Sequence, residues 1–347
     1  MIIQILKLQN FRSYREKGFE FPTGTTVVVG PNASGKTNLL EAIRFLAIGQ
    51  SLRAGVEVEM IHYGQEIARI IGLAKDQEEE KLEVVITGGA VAGEAAIKKR
   101  FLVSGVARRK LDFVGHLRVV YFGPEDLKII FDSPLGRRSF LDAILEATDH
   151  EYRRANLSYQ KGLRQRNKLL EQIRDEGRPR SVLFFWDKLL IENGALINRK
   201  RAELIEYINQ RPLRLGEVTL EYDESLVTLQ RLAQYADAEV AAGMTLVGPQ
   251  RDDFQVQQGE RNLHTYGSRG EQRMAVVALK LAELDFVTAK TSSRPVLLLD
   301  DIFSELDREH RQELLKHVGQ QQTIITTTDI HLLEKEYRKK VEMIVLK

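Results

Sequence analysis

The feature that most constrains this chain is the octet Gly30-Pro31-Asn32-Ala33-Ser34-Gly35-Lys36-Thr37. It follows the apolar, β-branched run Thr25 to Val29 and precedes a helical pattern from about Thr37 to Ile48. Both the G-x-x-x-x-G-K-[ST] spacing and the strand-to-helix setting of a phosphate-binding loop are therefore present. Glycines let backbone N–H groups close around phosphates, and the helix N-terminus adds its positive dipole. Lys36 would reach the β and γ oxygens, and Thr37 would offer a hydroxyl to Mg²⁺. The matching half is Pro295-Val296-Leu297-Leu298-Leu299-Asp300-Asp301, an apolar strand that delivers two carboxylates where open α/β sheets bind ligands. Asp300 is the candidate for holding Mg²⁺ and Asp301 for polarising the attacking water, which makes Lys36 and Asp301 the catalytic candidates. Alone, an acid at a strand end is an ordinary cap; its pairing with the loop gives it a function.

With 347 residues the chain exceeds what one core usually organises, so one large domain plus a lobe is expected. Hydrophobic residues make up 43% and charged residues 29%, a balance that fits neither disorder nor a membrane span. Zero cysteines exclude disulfides, zinc fingers and thiol nucleophiles, and they suit a reducing cytosol. No secretory signal pattern opens the sequence, so a cytoplasmic location is expected. Residues 2 to 29 read as strands around a polar N-F-R-S-Y-R-E-K turn, and Ile67 to Val119 read as an antiparallel sheet broken by the acidic stretch Asp76 to Glu83. Helical segments span Arg137 to Ala147, Glu151 to Ile173 behind Asp149 as N-cap, and Val182 to Ile208. The last two form an αα-hairpin lever, expected to project, whose longer helix would measure roughly 40 Å. The β pattern returns after Gly216, and Gln322 to Thr327 reads as the final strand. Residues 1–130 and 215–347 are thus expected to form the head, and 131–214 a helical insertion.

Ser268-Arg269-Gly270-Glu271-Gln272 opens a helix 32 residues before Asp300. Two readings stand: Ser268 and Glu271 as a capping box, or Ser268 and Gly270 at a helix N-terminus serving as an anion site for the γ-phosphate of ATP on a second subunit. Ser304-Glu305-Leu306-Asp307 and Thr326-Thr327-Thr328-Asp329 extend the ordered series.

That order resembles the ABC-type ATPase head of the SMC/Rad50/RecF group, and more narrowly the RecF family. The resemblance covers nearly the whole chain: N-F-R-S-Y at Asn10 to Tyr14, N-A-x-G-K-T-N-L-L-E-A-I from Asn32 to Ile43, G-H-L-x-V-V-x-F-x-P-E-D-L from Gly115 to Leu127, R-R-x-F-L-D from Arg137 to Asp142, Y-Q-K-x-L-x-Q-R-N from Tyr159 to Asn167, and G-P-x-R-D-D-F from Gly248 to Phe254. Departures are Gln250 in place of a common histidine, Leu52 within a usual S-H-R, and Glu271 in place of a frequent glutamine. The resemblance implies an α/β fold: a P-loop ABC-type head with a mixed sheet and an antiparallel β subdomain, plus an inserted α-helical lever lobe. It implies ATP and Mg²⁺ as cofactors, an ATP-dependent homodimer, DNA binding, and a weak DNA-dependent ATPase. It further implies work with RecO and RecR in loading RecA at gapped or junction DNA, near the nucleoid. Arg12 joins the nucleotide-binding residues Gly30 to Thr37. Ser268, Gly270, Glu271 and Gln272 become the signature acting in trans, Asp307 the D-loop residue, Thr328 the switch position, and Glu125 a candidate in a Mg²⁺-sensing loop. His331 reads as a surface bystander.

The net charge of +2 leaves any nucleic-acid surface to local excess. Lys98, Lys99, Arg100, Arg108, Arg109 and Lys110 give +6 in an acid-free window, and Arg153 to Arg180 give another +6 on the lever. Either is a DNA surface or a solvated face, and the scarcity of aromatics near the first argues against base stacking. A transporter-energising ATPase subunit and an SMC-like structural clamp are the competing functions. The long lever and Thr328 disfavour the first, and the modest length of the insertion disfavours the second.

Overall fold

The computed structural model describes residues 1–51, 56–131, 133–210 and 218–347. Leu52 and the expected boundary between 214 and 215, with Gly216, lie outside them. The chain divides into two compact units, Met1–Leu127 with Lys280–Lys347, and Lys128–Leu279.

The first unit contains a five-stranded sheet in the order Val119–Phe122, Val296–Asp300, Thr323–Thr327, Thr25–Val29, Glu342–Val345, parallel throughout. Its central strands are buried along their length, which explains why Val296–Asp300 reads as an unbroken apolar run and not as an alternating one. Helix Lys36–Ile48 presents Leu39, Leu40, Ile43 and Leu46 to a core shared with Leu298 and Ile324. A second, antiparallel sheet orders its strands Tyr14–Glu20, Ile2–Phe11, Ile67–Lys75, Glu79–Thr87, Lys99–Val103, Val106–Arg108. This is the mixed head with an antiparallel β subdomain.

Three differences from the sequence reading have physical causes. Tyr14–Glu20 is a strand where a turn was expected, because it pairs along Ile2–Phe11 with charged residues directed outward. The acidic stretch breaks the strands only over 76–78, the hairpin turn between Ile67–Lys75 and Glu79–Thr87, and its remainder belongs to the sheet. Glu79–Thr87 starts inside that stretch and buries Leu82, Val84 and Ile86 while Glu79, Lys81 and Glu83 take the other face. A further strand, Glu342–Val345, follows the one expected to be last; it lies at the sheet edge with exposed Met343 and Val345, so its pattern carries little apolar signal.

The second unit holds helices Pro134–Thr148, His150–Glu176, Phe184–Asn209 and Leu229–Ala242, with the short sheet Val218–Asp223, Asp253–Gln258, Arg261–Asn262. Asp149 caps its helix by accepting the Tyr152 amide at 3.1 Å. Gly162 lets the two long helices close, since a Cβ there would lie 2.5 Å from Leu189 Cδ2. A buried ionic network fixes this unit. Arg201 donates to Asp142 at 2.7 Å, to Asp252 at 2.8 Å and to the Pro249 carbonyl at 2.7 Å. Asp252 also accepts from Tyr222, Asn198 and the Ser225 amide, and its neighbour Asp253 takes a two-pronged contact from Arg137 at 2.6 and 2.8 Å. The R-R-x-F-L-D and G-P-x-R-D-D-F blocks thus meet through charge.

Arg201→Ala would strand Asp252 in the interior. A destabilisation of about 3–5 kcal/mol is expected from equilibrium urea unfolding; a loss below about 1 kcal/mol would show that the network is dispensable.

Candidate functional site

Three adjacent parallel strands bring the candidate residues together at their carboxyl ends: Thr25–Val29 runs into the glycine loop, Val296–Asp300 ends on the acidic pair, and Thr323–Thr327 leads to Thr328 and Asp329. Asp300 is only 3% exposed. Its Oδ1 accepts hydroxyls from Thr37 at 3.2 Å and Thr326 at 2.7 Å, and its Oδ2 accepts that of Tyr121 at 2.9 Å. Such donors offset the cost of burying a carboxylate. Burial, and then the charge of Asp300, pushes the Tyr121 phenol well above its usual range, so it stays a donor. The Arg44 guanidinium sits 4.3 Å from the centre of the Tyr121 ring.

Lys36 is 7% exposed, and its ammonium donates to the carbonyls of Gly30 at 2.7 Å and Pro31 at 2.8 Å. Asp301 follows Asp300 in a left-handed conformation, φ 50°, with its amide bonded to the Thr326 carbonyl at 3.1 Å. Its Oδ1 is buried with no hydrogen-bond partner. Burial raises its pKa, while the Lys36 charge and the Thr328 amide pull the other way. Orphaned carboxylate oxygens are costly unless something completes them. A Mg²⁺-nucleotide with an attacking water fits this donor set: Thr37 and Asp300 offer oxygens, Lys36 a cation, and Asp301 an unused acceptor. No cluster of three or more metal-ligating acids or histidines occurs among the described residues. Mg²⁺ held by one or two protein oxygens plus phosphates needs none.

The N-F-R-S-Y block grips the loop helix. Arg12 bonds Glu41 at 3.0 and 2.9 Å and the Glu59 carbonyl at 3.0 Å; Ser13 accepts from Asn38 at 3.0 Å; Tyr14 donates to the Gly35 carbonyl at 3.1 Å. Positions 35, 38 and 41 share one helix face, so three consecutive residues zip along it. Gly35 takes φ 98°, and a Cβ there would meet the Tyr14 oxygen at 2.7 Å. Burial lifts the Tyr14 pKa to about 12. Arg12 therefore directs its guanidinium to Glu41 and Glu59. Asn32, Ala33 and Ser34 are turn residues of the loop, Ala33 with φ 67°.

In the second unit, Ser268 and Glu271 do form a reciprocal capping box: the Ser268 amide donates to Glu271 at 2.8 Å and the Glu271 amide to Ser268 Oγ at 3.3 Å. Ser268 and Gly270 remain exposed, whereas Gln272 turns inward to the Leu263 carbonyl at 2.7 Å. Asp307 caps the next helix through the His310 amide at 3.0 Å, and Thr328 and Glu125 are exposed. The first basic cluster divides. Lys99 folds over Phe45 and Phe101 and pairs with Glu57, and Lys110 bonds Gln50. Lys98, Arg100, Arg108 and Arg109 are exposed, with Arg109 paired to Asp112 at 2.8 Å. Sequence reasoning missed Tyr121 and Arg44. Tyr121 aligns with Leu298 in the neighbouring strand, two residues before Asp300, a relation visible only once those strands are paired.

A family model described as RecF/RecN/SMC N terminal domain matches residues 2–345. The chain is 38% identical over 363 residues to the DNA replication and repair protein RecF of Herpetosiphon aurantiacus, covering 95% of this chain and 94% of that one. It is 36% identical to the same protein of Roseiflexus castenholzii, covering 99% and 98%. A solved structure of "the recombination mediator protein RecF-ATP in RecFOR pathway" superposes with a TM-score of 0.86 at 31% identity, over 96% of this chain and 93% of the other. An Smc head domain from Pyrococcus furiosus shares the fold at a TM-score of 0.53 and 17% identity, covering 99% of this chain and 94% of the other.

Tyr121→Phe removes one donor from Asp300 while keeping the ring beneath Arg44. In metal-free urea titrations it should cost about 1.5–3 kcal/mol, the range for hydrogen bonds to charged groups. An unchanged midpoint would mean that the phenol does not support Asp300.

Proposed function

The chain belongs to the RecF/RecN/SMC N-terminal family and, within it, to the RecF proteins of DNA replication and repair, and on that footing we propose that it is an ATP-switched DNA-binding recombination mediator. In this reading Gly30 to Thr37 cradle the phosphates, Lys36 neutralises them, and Thr37 with Asp300 holds Mg²⁺. When bound, ATP supplies the γ-phosphoryl group whose hydrolysis resets the switch. Asp301 orients and polarises the attacking water through its uncommitted Oδ1. Turnover is weak and DNA-dependent. Exposed Ser268 and Gly270 complete the site of a second copy, while Glu271 and Gln272 hold the turn that presents them. Asp307 serves as the D-loop residue and Thr328 as the switch position, and closure needs two chains. Residues 131–214 act as the lever. Lys98, Arg100, Arg108 and Arg109 supply phosphate contacts without sequence preference, whereas Lys99 and Lys110 support them from within. RecR and RecO are the protein partners through which RecA is loaded at gapped DNA, in the cytoplasm at the nucleoid.

The observation that carries this reading is Asp300, whose three hydroxyl partners include Thr37 of the loop, with the orphaned Asp301 oxygen beside it. An effector shifts an equilibrium only through its differential affinity, so a nucleotide that favours the closed dimer must bind it more tightly, and DNA that prefers that dimer tightens nucleotide binding in return.

Variants separate these steps. Lys36→Arg should retain nucleotide and lose phosphate release, because a planar guanidinium cannot replace a compact ammonium. Asp301→Asn should close and hold DNA longer than the parent in ATP, whereas Ser268→Arg should bind nucleotide as a monomer and hold DNA weakly. Dissociation from a DNA-coated surface reads both, and equal off-rates for the parent and these two variants would sink the switch.

A further inference from the structure

Helix His150–Glu176 carries six cations and no acid between Glu151 and Glu171. The structure sorts them into two kinds. Arg166 is 2% exposed and bonds Asp187 at 2.7 Å and Glu239 at 2.8 Å, and Arg153 donates to the Glu146 carbonyl. Arg154, Lys161, Arg164 and Lys168 are exposed, and none of them forms an ion pair among the described residues. Arg154, Lys161 and Lys168 recur every seven residues, which keeps them on one line, and Arg164 flanks it.

The partner helix Phe184–Asn209 gives the internal comparison for an ordinary solvated face. Its exposed cations are matched one to one by acids a turn away, Lys188 with Glu192 at 3.9 Å and Arg199 with Glu203 at 3.8 Å. Like charges at i, i+3 and i+4 oppose helix formation, and Lys161 with Arg164 and Arg164 with Lys168 are such pairs, so the middle of the ladder costs its own helix stability, the nearest acids, Glu151 and Glu171, standing one turn beyond its two ends. A ligand of opposite charge would relieve that cost.

We propose that the outer face of helix His150–Glu176, through Arg154, Lys161, Arg164 and Lys168, is a docking surface for the phosphate backbone of duplex DNA. The inference rests on the DNA-binding reading above and assigns it a surface. The ladder extends about 21 Å, and along that length one strand of a duplex presents about six phosphates. Leu157, at 45% exposure, is the one large apolar side chain on the line. Protein interfaces and membrane-surface helices need a broader apolar centre than that. The helix's tyrosines, Tyr152 and Tyr159, are buried, so no base-stacking platform is offered to a single strand.

The test is fluorescence anisotropy of a labelled duplex, with the full chain in ATP and Mg²⁺, from 50 to 200 mM salt. The variant combines Arg154→Gln, Lys161→Gln, Arg164→Gln and Lys168→Gln, and the control combines Lys188→Gln with Arg199→Gln. Glutamine favours helix, and circular dichroism melting checks the fold of each. The slope of log affinity against log salt should fall by about 3–4 in the fourfold variant, so that its affinity loss across that range is roughly a hundredfold smaller than the parent's. Lys161→Gln alone should lower the slope by about one, which keeps the proposal testable if the fourfold variant misfolds. The control should match the parent.

A parental slope in the fourfold variant, with parental DNA binding, overturns this surface and leaves the DNA reading standing. A parent chain that binds no duplex overturns both. Unchanged duplex binding with lost binding to polyglutamate or to anionic phosphatidylglycerol vesicles assigns the face to an acidic protein or a membrane instead.

Discussion

A carboxylate sealed from water needs donors, and Asp300 draws them from three separate elements. Thr37 comes from the helix after the loop, Thr326 from the neighbouring strand, and Tyr121 from the strand on the other side. Satisfying this one group therefore fixes how the loop helix, both flanking strands and the central strand are registered against one another. The parallel pairing of Val119–Phe122, Val296–Asp300 and Thr323–Thr327 brings the three hydroxyls to the same end of the sheet. Thr37 donates its proton to Asp300 and so keeps lone pairs for a cation, which means that the contact assembling the fold also sets the polarity of the site.

The same economy appears where Arg12, Ser13 and Tyr14 meet Glu41, Asn38 and Gly35. Glycine at position 35 is needed for the φ of 98°, yet its lack of a side chain also makes room for the Tyr14 hydroxyl. The tight turn at Gly35 is thereby braced by the first residue of strand Tyr14–Glu20. Asp301 shows the opposite treatment: it keeps a left-handed backbone and an unpaired buried oxygen, the kind of local cost that folds tolerate at working sites.

Much of this was legible in the sequence because its signals are local. The loop, the apolar strand ending at Asp300 and the two long helices are each written in contiguous residues, and the structure has strand, loop and helix in those places. What could not be read depends on pairing between distant segments. Tyr121 looks like any aromatic in an apolar strand until Val119–Phe122 is set beside Val296–Asp300. Lys99 and Arg100 look alike in a basic run, but strand alternation turns one toward Phe45 and the other to solvent. Edge strand Glu342–Val345 has too little burial to leave a pattern.

The parallel sheet has a consequence for synthesis on the ribosome. Strand Thr25–Val29 takes Thr323–Thr327 as its inner neighbour, a partner made about 300 residues later, which at roughly 5–20 residues per second is a delay of about 15–60 s. All of Lys128–Leu279, a continuous stretch with its own buried network, emerges within that interval. The nascent chain therefore carries a glycine loop whose strand lacks its neighbours while a later segment already holds every member of its own buried network, Asp142, Arg201 and Asp252. A prematurely ended polypeptide would retain the loop without Asp300, and an open sheet edge in its place is a site for misassembly.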